Sequence, residues 1–343
     1  MTNTAPLKEK REALKAENPR LRIKDAATAL GVTEVELLVT DCGQTVTRLD
    51  ADWQKIYPQL PELGKVMALT RNEASVLEQN GIYGKASVRG PMALTVGNDI
   101  DLRSFLTQWG SAFVVTHPAG FRFKYSLQVF SIDGHAIHKI YLNDESNLEV
   151  FEAILAEYKS EDQSTSQEIK ENFQHAETIA DAEIDKETLI TDWEALQDVH
   201  DFMKLLKKHK ISRTQAYKAV SEEKARQIKP EQTLSLLNQV SASGINFMIF
   251  NGNRGQIQIY MGPAKKIVDM DEWLNILDPQ VNLHLKKSLI DSAWVVTRPT
   301  VDGNVTSVEL FDKEGETLVS FFGKRKEGQP ELPAWRKITD SLK

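Results

Sequence analysis

The apolar positions of this chain follow two patterns, one typical of helices and one typical of strands. Residues 8–30 have helical spacing on either side of a break at Asn18 and Pro19, where proline interrupts a helix. Residues 64–94 instead carry short apolar runs interrupted by Gly and Asn, and residues 247–255 repeat this strand pattern. The chain is therefore expected to combine helices with short strands.

Pairs of an acidic residue and a glycine mark the ends of several predicted strands. They occur at 133–134, 302–303 and 314–315. Such pairs favour tight turns between antiparallel strands, because glycine adopts the backbone angles that these turns need. We therefore predict an α+β fold in which each half of the chain has an antiparallel β-sheet with helices packed on one side.

The second half of the chain repeats the first. Residues 279–323 align with residues 98–142 without a gap, so that each residue matches the one 181 positions earlier. Self-similarity over such a long period indicates an internal duplication of a whole domain. The copies differ at polar positions, and His117, for example, matches Arg298. This asymmetry suggests one shared site rather than two identical ones.

A polar segment separates the two copies. Residues 159–186 are rich in Asp, Glu, Ser and Thr and contain few large apolar side chains, which predicts a solvated acidic linker. The predicted domains are a first repeat at 1–158 and a second repeat at 187–343. Each repeat is long enough to bury a core of its own.

The second repeat opens with a predicted helix that carries a histidine. Thr191 and Glu194 have the spacing of a capping box, which places the start of the helix there. An apolar stripe at spacings of three and four then includes His200, together with Trp193, Leu196, Met203 and Leu206. A histidine in such a stripe is more often a buried, hydrogen-bonded side chain than a ligand, so spacing alone favours a structural role.

The sequence contains no other motif that indicates catalysis or metal binding. We find no phosphate-binding glycine loop, no dinucleotide fingerprint and no nucleophile elbow. His135 and His138 lie three positions apart in a predicted strand, so they face opposite sides and are expected at the surface. Cys42 has an acidic neighbour and no adjacent cation, which disfavours a reactive thiolate.

Composition restricts the class of protein further. The chain has 343 residues, of which 41% are hydrophobic and 27% charged, as in ordinary globular proteins. Its formal net charge of −7 argues against a nucleic-acid partner, for which a basic face is expected. The single cysteine excludes an internal disulfide, no apolar run is long enough to cross a bilayer, and the first residues lack a secretory signal. We therefore expect a cytoplasmic protein that is not embedded in a membrane.

Seven short segments, spread over nearly the whole chain, resemble a known family. They are DLRSFLTQW at 101–109, DVHDF at 198–202, SRTQA at 212–216, FNGNRG at 250–255, WLNI at 273–276, TRPT at 297–300 and GKR at 323–325. In this set and order they are similar to the bacterial haemin-transport and haemin-degrading proteins of the HemS and ChuS type.

The resemblance implies roles for seven residues. The family's iron ligand matches His200, and its distal arginine, which would be the catalytic residue of an enzyme, matches Arg103. Positions that contact the haem propionates or ring in relatives match Arg213, Phe250, Arg298, Phe322 and Arg325. The chain departs from the family at Phe322, where tyrosine is frequent, and at Arg298, where lysine is common. A guanidinium group still suits a propionate carboxylate.

The resemblance also implies a function. It indicates a haem-binding protein of a haem-uptake system that receives imported haem and either delivers it or opens its ring to release iron with an external reductant. The alternative is a carrier or buffer without turnover that hands haem to a separate oxygenase. The implied ligand is haem b, bound non-covalently since no Cys-x-x-Cys-His motif is present. The implied partners are an inner-membrane haem importer and a haem oxygenase or reductase. Because His200 and Arg103 lie in different repeats, the haem is expected to contact both.

Overall fold

The computed structural model describes residues 4–97, 99–170, 177–325 and 328–343, which form ten α-helices and eighteen β-strands. The helices are α1 (Thr4–Glu17), α2 (Ile23–Leu30), α3 (Glu34–Leu38), α4 (Trp53–Ile56), α5 (Leu148–Tyr158), α6 (Lys186–Glu194), α7 (Asp201–His209), α8 (Arg213–Ala219), α9 (Gln232–Ser243) and α10 (Pro333–Ser341). The strands are β1 (Val46–Leu49), β2 (Gly64–Arg71), β3 (Ser75–Ile82), β4 (Lys85–Arg89), β5 (Met92–Val96), β6 (Asp101–Phe105), β7 (Trp109–Thr116), β8 (Tyr125–Ser131), β9 (Ala136–Ser146), β10 (Ala225–Ile228), β11 (Phe247–Asn253), β12 (Gln256–Gly262), β13 (Ile267–Asp269), β14 (Trp273–Leu277), β15 (Val281–Lys286), β16 (Ser292–Arg298), β17 (Val305–Phe311) and β18 (Thr317–Gly323). The predicted α+β class is confirmed. No helix within the described ranges is long and apolar enough to cross a membrane.

Proline and glycine interrupt the elements where the sequence predicts. The break at Asn18 and Pro19 separates α1 from α2. The turns β8–β9, β16–β17 and β17–β18 contain Gly134, Gly303 and Gly315, all at positive φ. Glycine adopts these angles without the steric cost that a Cβ atom would add, so these glycines fit the three predicted turns.

The chain divides into two compact units, and each unit takes one short segment from the other half of the sequence. Unit 1 comprises Met1–Arg71, Glu78–Phe173 and Asn253–Gln258, and unit 2 comprises Asn72–Leu77, Gln174–Gly252 and Ile259–Lys343. The predicted domains, 1–158 and 187–343 with a linker at 159–186, do not include this exchange of segments. A local pattern of apolar positions does not reveal which distant strand a segment pairs with.

Unit 1 is built on the strand order β1-β7-β8-β9-β2-β3, with a second group in the order β12-β6-β5-β4. The pairs from β1 to β2 in the first group are antiparallel. Val114 and Val129 belong to one core with Phe151 of α5, whereas Phe113 and Phe130 belong to another with residues of α3. Neighbouring strand residues point to opposite faces, so both faces of this sheet carry helices.

Unit 2 is built on the strand order β10-β16-β17-β18-β11-β12, with a second group in the order β3-β15-β14-β13. Every residue of β17 is buried, which is typical of a strand covered on both faces. Val308 and Leu310 belong to a core with α9 and α10, and Trp294 and Phe311 to a core with α6, α7 and α8. The helices of unit 2 thus lie on both faces of this sheet, whereas the sequence pattern predicts helices on one side only.

Two asparagines 181 positions apart fix the exchanged segments. In unit 2, the side chain of Asn72 donates to the carbonyl of Leu318 at 2.6 Å. In unit 1, the side chain of Asn253 donates to the carbonyl of Ile137 at 2.8 Å. The two acceptors are also 181 positions apart, so the duplication extends beyond the aligned block. A cut between the two halves of the sequence would remove one such anchored segment from each unit.

The described parts of the predicted linker are hydrogen-bonded to the unit in which each lies. Gln163 exchanges two hydrogen bonds with the backbone of Arg48, at 3.0 and 3.1 Å. The N–H of Ile179 donates to the carbonyl of Lys210 at 2.9 Å. No residue of 161–170 or 177–184 is fully buried, whereas Ser160, also in the predicted linker, is buried. Residues 171–176 of the linker lie outside the described residues.

One of the two histidines expected at the surface is buried. His138, in β9, is hydrogen-bonded to the hydroxyl of Thr70 at 3.0 Å and to that of Tyr83 at 2.7 Å. Burial lowers the pKa of His138 to about 3, so the ring is neutral. The surface prediction is wrong for His138, since both faces of its sheet are covered, whereas His135 is exposed as predicted.

Candidate functional site

The helix predicted to carry His200 is in fact two helices joined by a short loop. α6 begins five residues before the predicted start because Asp185 caps it, accepting from the backbone N–H of Thr188 at 3.1 Å. α7 begins directly after His200. The predicted capping box at Thr191 is therefore wrong, and this residue lies inside α6.

The predicted apolar stripe is split by this loop. Trp193 of α6 and Leu206 of α7 are buried, as expected. Met203, in the first half of α7, is 56% exposed, and the side chain of His200 is 88% exposed. The prediction that His200 sits on a buried apolar face is wrong, because the helix that would place it there is interrupted.

Asp198 holds the imidazole of His200. One carboxylate oxygen of Asp198, Oδ1, accepts from the backbone N–H of His200 at 2.8 Å and also from its ring Nδ1. The backbone hydrogen bond is the main cause that lowers the pKa of Asp198, and the hydrogen bond from the His200 ring and the charge of Arg325 act in the same direction. The ionised carboxylate has no hydrogen to donate, so Nδ1 carries the proton and Nε2 presents its lone pair.

Two aromatic residues lie on one face of the sheet in unit 2. Phe322 of β18 is opposite Ser307 of β17, and Phe250 of β11 is opposite Ser320 of β18. Val296, on the other side of Ser307, belongs to the core beneath α6, α7 and α8. Directly opposed residues share a face, so these helices cover only part of the face. Phe250 and Phe322 lie on the rest of it, half-buried, with ring centroids 5.0 Å apart.

A buried carboxylate on the same face binds two cations. Glu309, opposite Ser320 on the neighbouring strand, accepts hydrogen bonds from Arg298 and from the hydroxyl of Tyr217, both at 2.7 Å. Arg213 donates to Glu309 at 3.3 Å. Burial by itself would raise the pKa of Glu309, but the charges of Arg298 and Arg213 lower it to about 2.

The three arginines predicted to contact propionates differ in how accessible their charges are. The side chain of Arg298 is 3% exposed, and Glu309 neutralises its charge. The side chain of Arg213, at the first residue of α8, is 30% exposed. Arg325 follows β18, is half-buried, and its charge acts on Asp198. Arg213 and Arg325 are thus the more accessible of the three.

Arg103 belongs to unit 1, whereas the other six predicted site residues belong to unit 2. It lies in β6, its side chain is 33% exposed, and it forms an ion pair with Asp101. It also donates to the carbonyl of Thr95 at 3.3 Å. Burial raises the pKa of Asp101, and the charge of Arg103 opposes that effect. The distal role of Arg103 stays a prediction.

Reasoning from the sequence missed two residues of this site. Glu309 is a charged residue within a strand of buried residues, and its counterpart in the first repeat, Gln128, is neutral. That difference was visible in the alignment of the two copies. Asp198 lies two positions before His200, a spacing at which an Asp side chain can accept from the backbone and interrupt a helix.

Comparison with known proteins identifies relatives over almost the whole chain. The family model of the haemin-degrading HemS.ChuX domain matches residues 31–158 and 210–342. The hemin transport protein HmuS of Yersinia pestis is 36% identical over 332 residues, which cover 94% of this chain and 93% of HmuS. The hemin transport protein HemS of Yersinia enterocolitica is 34% identical over 323 residues, with the same two coverages, 94% and 93%.

Solved structures agree with this result. Holo-PhuS, a heme-binding protein from Pseudomonas aeruginosa, superposes with a TM-score of 0.96 at 40% identity, covering 99% of each chain. The heme degrading enzyme ChuS of Escherichia coli O157:H7 superposes with a TM-score of 0.91 at 31% identity, again over 99% of each chain.

Proposed function

Because the chain belongs to the haemin-degrading HemS.ChuX family, we propose that it binds haem b non-covalently and serves a bacterial haem-uptake system. It receives imported haem and either delivers it or opens its ring to release iron. Relatives of both kinds support the proposal, since HmuS is a hemin transport protein and ChuS a heme degrading enzyme. The cytoplasmic location and the exchange of haem with an importer, an oxygenase or a reductase stay predictions.

The observation that carries this proposal is the imidazole of His200. Its ring is exposed and is held through Nδ1 by Asp198, which leaves the Nε2 lone pair for a metal. Neutral imidazole is a frequent axial ligand of haem iron. We therefore assign the iron ligand to His200.

Other predicted site residues of unit 2 suit the rest of a haem molecule. Half-buried Phe250 and Phe322 offer apolar surface for a flat macrocycle. Accessible Arg213 and Arg325 offer charge for its two propionates. Arg298 remains a predicted propionate contact, although its burial favours a supporting role. Bound haem would supply a redox-active iron, and the residues of the chain would bind and orient it.

Replacing Arg213 with alanine should weaken haem binding by about 1–3 kcal/mol, because a charge-assisted hydrogen bond to a propionate is lost. Equilibrium titration of the full chain with ferric haem measures the effect. Arg89→Ala is a suitable control, since Arg89 is exposed beside the β4–β5 turn and should not affect affinity. Haem dimethyl ester has no free carboxylates, so its affinities for the wild type and for Arg213→Ala should be more similar than those of haem. An equal loss with haem and with its ester would contradict the propionate contact.

Delivery and ring opening predict different fates for the haem complex under air with ascorbate as reductant. If the chain opens the ring, the Soret band of the complex decays, and Arg103→Ala slows that decay if Arg103 has the catalytic role that the resemblance implies. If the chain is only a carrier, any loss of the Soret band comes from peroxide formed by ascorbate and air, so catalase prevents it and both proteins lose the band at the same rate. Following the band over time in the two complexes separates the two fates.

A further inference from the structure

One carboxylate of the site forms two hydrogen bonds to the same histidine. Asp198 Oδ1 accepts from the backbone N–H of His200 at 2.8 Å and from its ring Nδ1. The first bond fixes the loop before α7, and the second fixes the ring relative to that loop. The backbone bond is sufficient to form the turn, so the turn alone does not explain the bond to the ring.

The position of Asp198 does not indicate a role in the core. Its side chain is 51% exposed, and it belongs to no buried apolar cluster. Asp201, directly after His200, provides a contrast, because its carboxylate binds Lys204 at 2.7 Å. Of these two carboxylates, Asp198 is the one that is hydrogen-bonded to the imidazole.

We propose that Asp198 is a positioning residue that orients the imidazole of His200 and strengthens it as an iron ligand. This inference rests on the proposed function, in which His200 binds haem iron. A carboxylate that accepts from Nδ1 selects the tautomer with a free Nε2 and increases the electron density that the ring donates. The stronger donor favours ferric over ferrous iron, so Asp198 lowers the reduction potential of the bound haem.

The charges around Asp198 influence how far it lowers the reduction potential of the bound haem. Arg325 acts electrostatically on Asp198, so its positive charge partly offsets the effect of the carboxylate on the imidazole. Lys204 is paired with Asp201. Replacing Asp198 with asparagine removes the charge and exchanges one acceptor oxygen for an NH2 group, which can donate to an unprotonated Nδ1.

The test compares Asp198→Asn with Asp201→Asn in the full chain. Each variant removes one negative charge within two residues of His200. Only Asp198→Asn removes a charge that is hydrogen-bonded to the imidazole. For Asp198→Asn we expect about tenfold or more weaker binding of ferric haem, the effect typical of losing a residue that supports a metal ligand. If the affinity for ferrous haem is little affected, a tenfold loss of affinity for ferric haem makes the reduction potential of the bound haem more positive by about 59 mV, since one electron is transferred. Asp201→Asn should match the wild type in both measurements.

A second measurement does not depend on haem. The ¹⁵N chemical shifts of the neutral His200 ring in the haem-free chain report which nitrogen carries the proton. The wild type and Asp201→Asn should populate the Nδ1–H tautomer, whereas Asp198→Asn should shift the population towards Nε2–H.

The outcomes separate this inference from the proposed function. If His200→Ala loses the wild-type haem spectrum while Asp198→Asn matches Asp201→Asn in affinity, potential and tautomer, the role of Asp198 is refuted and the ligand stands. If His200→Ala keeps the wild-type spectrum and affinity, the ligand assignment fails and the role of Asp198 fails with it.

Discussion

Replacing His200 with alanine should weaken the binding of ferric haem by at least about a hundredfold, since removing a ligand costs more than the 10- to 100-fold typical of removing a residue that orients one. The bond between Nε2 and the iron would be lost, whereas contacts to the ring and the propionates would remain. The side chain of His200 is 88% exposed and belongs to no core cluster, so the fold should tolerate the change. Equilibrium titration and thermal unfolding measure the two effects separately.

His135→Ala is the matched control for this substitution. His135 is also exposed, and it lies at the β8–β9 turn in unit 1. It should leave haem affinity and spectrum unchanged. His209, the last residue of α7, is another potential ligand, but its side chain is 9% exposed and lies 2.6 Å from a carboxylate oxygen of Asp192. A His200→Ala protein with wild-type affinity would contradict the assignment.

Replacing Glu309 with glutamine should lower the free energy of unfolding at neutral pH by about 3–5 kcal/mol, the usual cost of breaking a buried ion pair by removing one partner. Glu309 is 1% exposed and neutralises Arg298, which is 3% exposed. The variant would leave a buried guanidinium without its counter-charge. Denaturant unfolding measures the change. Glu314→Gln is the control, because Glu314 lies on the following turn and its side chain is 53% exposed.

The same carboxylate predicts a pH dependence of stability. The pKa of Glu309 falls from its ordinary value of 4.5 to about 2 in the folded chain. Because the folded pKa is the lower one, the contribution of Glu309 is fully present above about pH 4.5 and is lost as the pH falls towards 2. A shift of this size corresponds to about 3 kcal/mol. The stability difference between wild type and Glu309→Gln should therefore narrow over that interval. A difference equal to that of Glu314→Gln at every pH would refute the buried pair.

The sequence predicts the fold best where the pattern is local or repeated. The duplication indicated two similar α+β halves, and a proline and several glycines located a helix break and three turns. The exchange of residues 72–77 and 253–258 was not predictable in this way, because it depends on which distant strand a segment pairs with. The two asparagines that anchor these segments lie outside the block in which the copies align most clearly.

The identity of the candidate site residues rests on the resemblance and stays a prediction, whereas the local geometry expected for them differs from the structure. The resemblance selected His200, and the apolar spacing then suggested a buried position on a continuous helix. Asp198 competes for the backbone N–H at that point, so the helix is interrupted and the ring is exposed. The sequence did not reveal that Arg298, predicted to contact a propionate, is buried and paired, because its partner, Glu309, lies on the neighbouring strand. Only the strand register brings those two charges together.

The central claim is that His200 supplies the axial ligand of haem iron, and resonance Raman spectroscopy of the ferrous haem complex tests it most directly. We expect the full chain to show an iron–histidine stretching band that shifts when the protein is labelled with ¹⁵N-histidine, and His135→Ala to show the same band. In His200→Ala this band should be absent. An unchanged isotope-sensitive band in His200→Ala would show that another histidine binds the iron and would contradict the account.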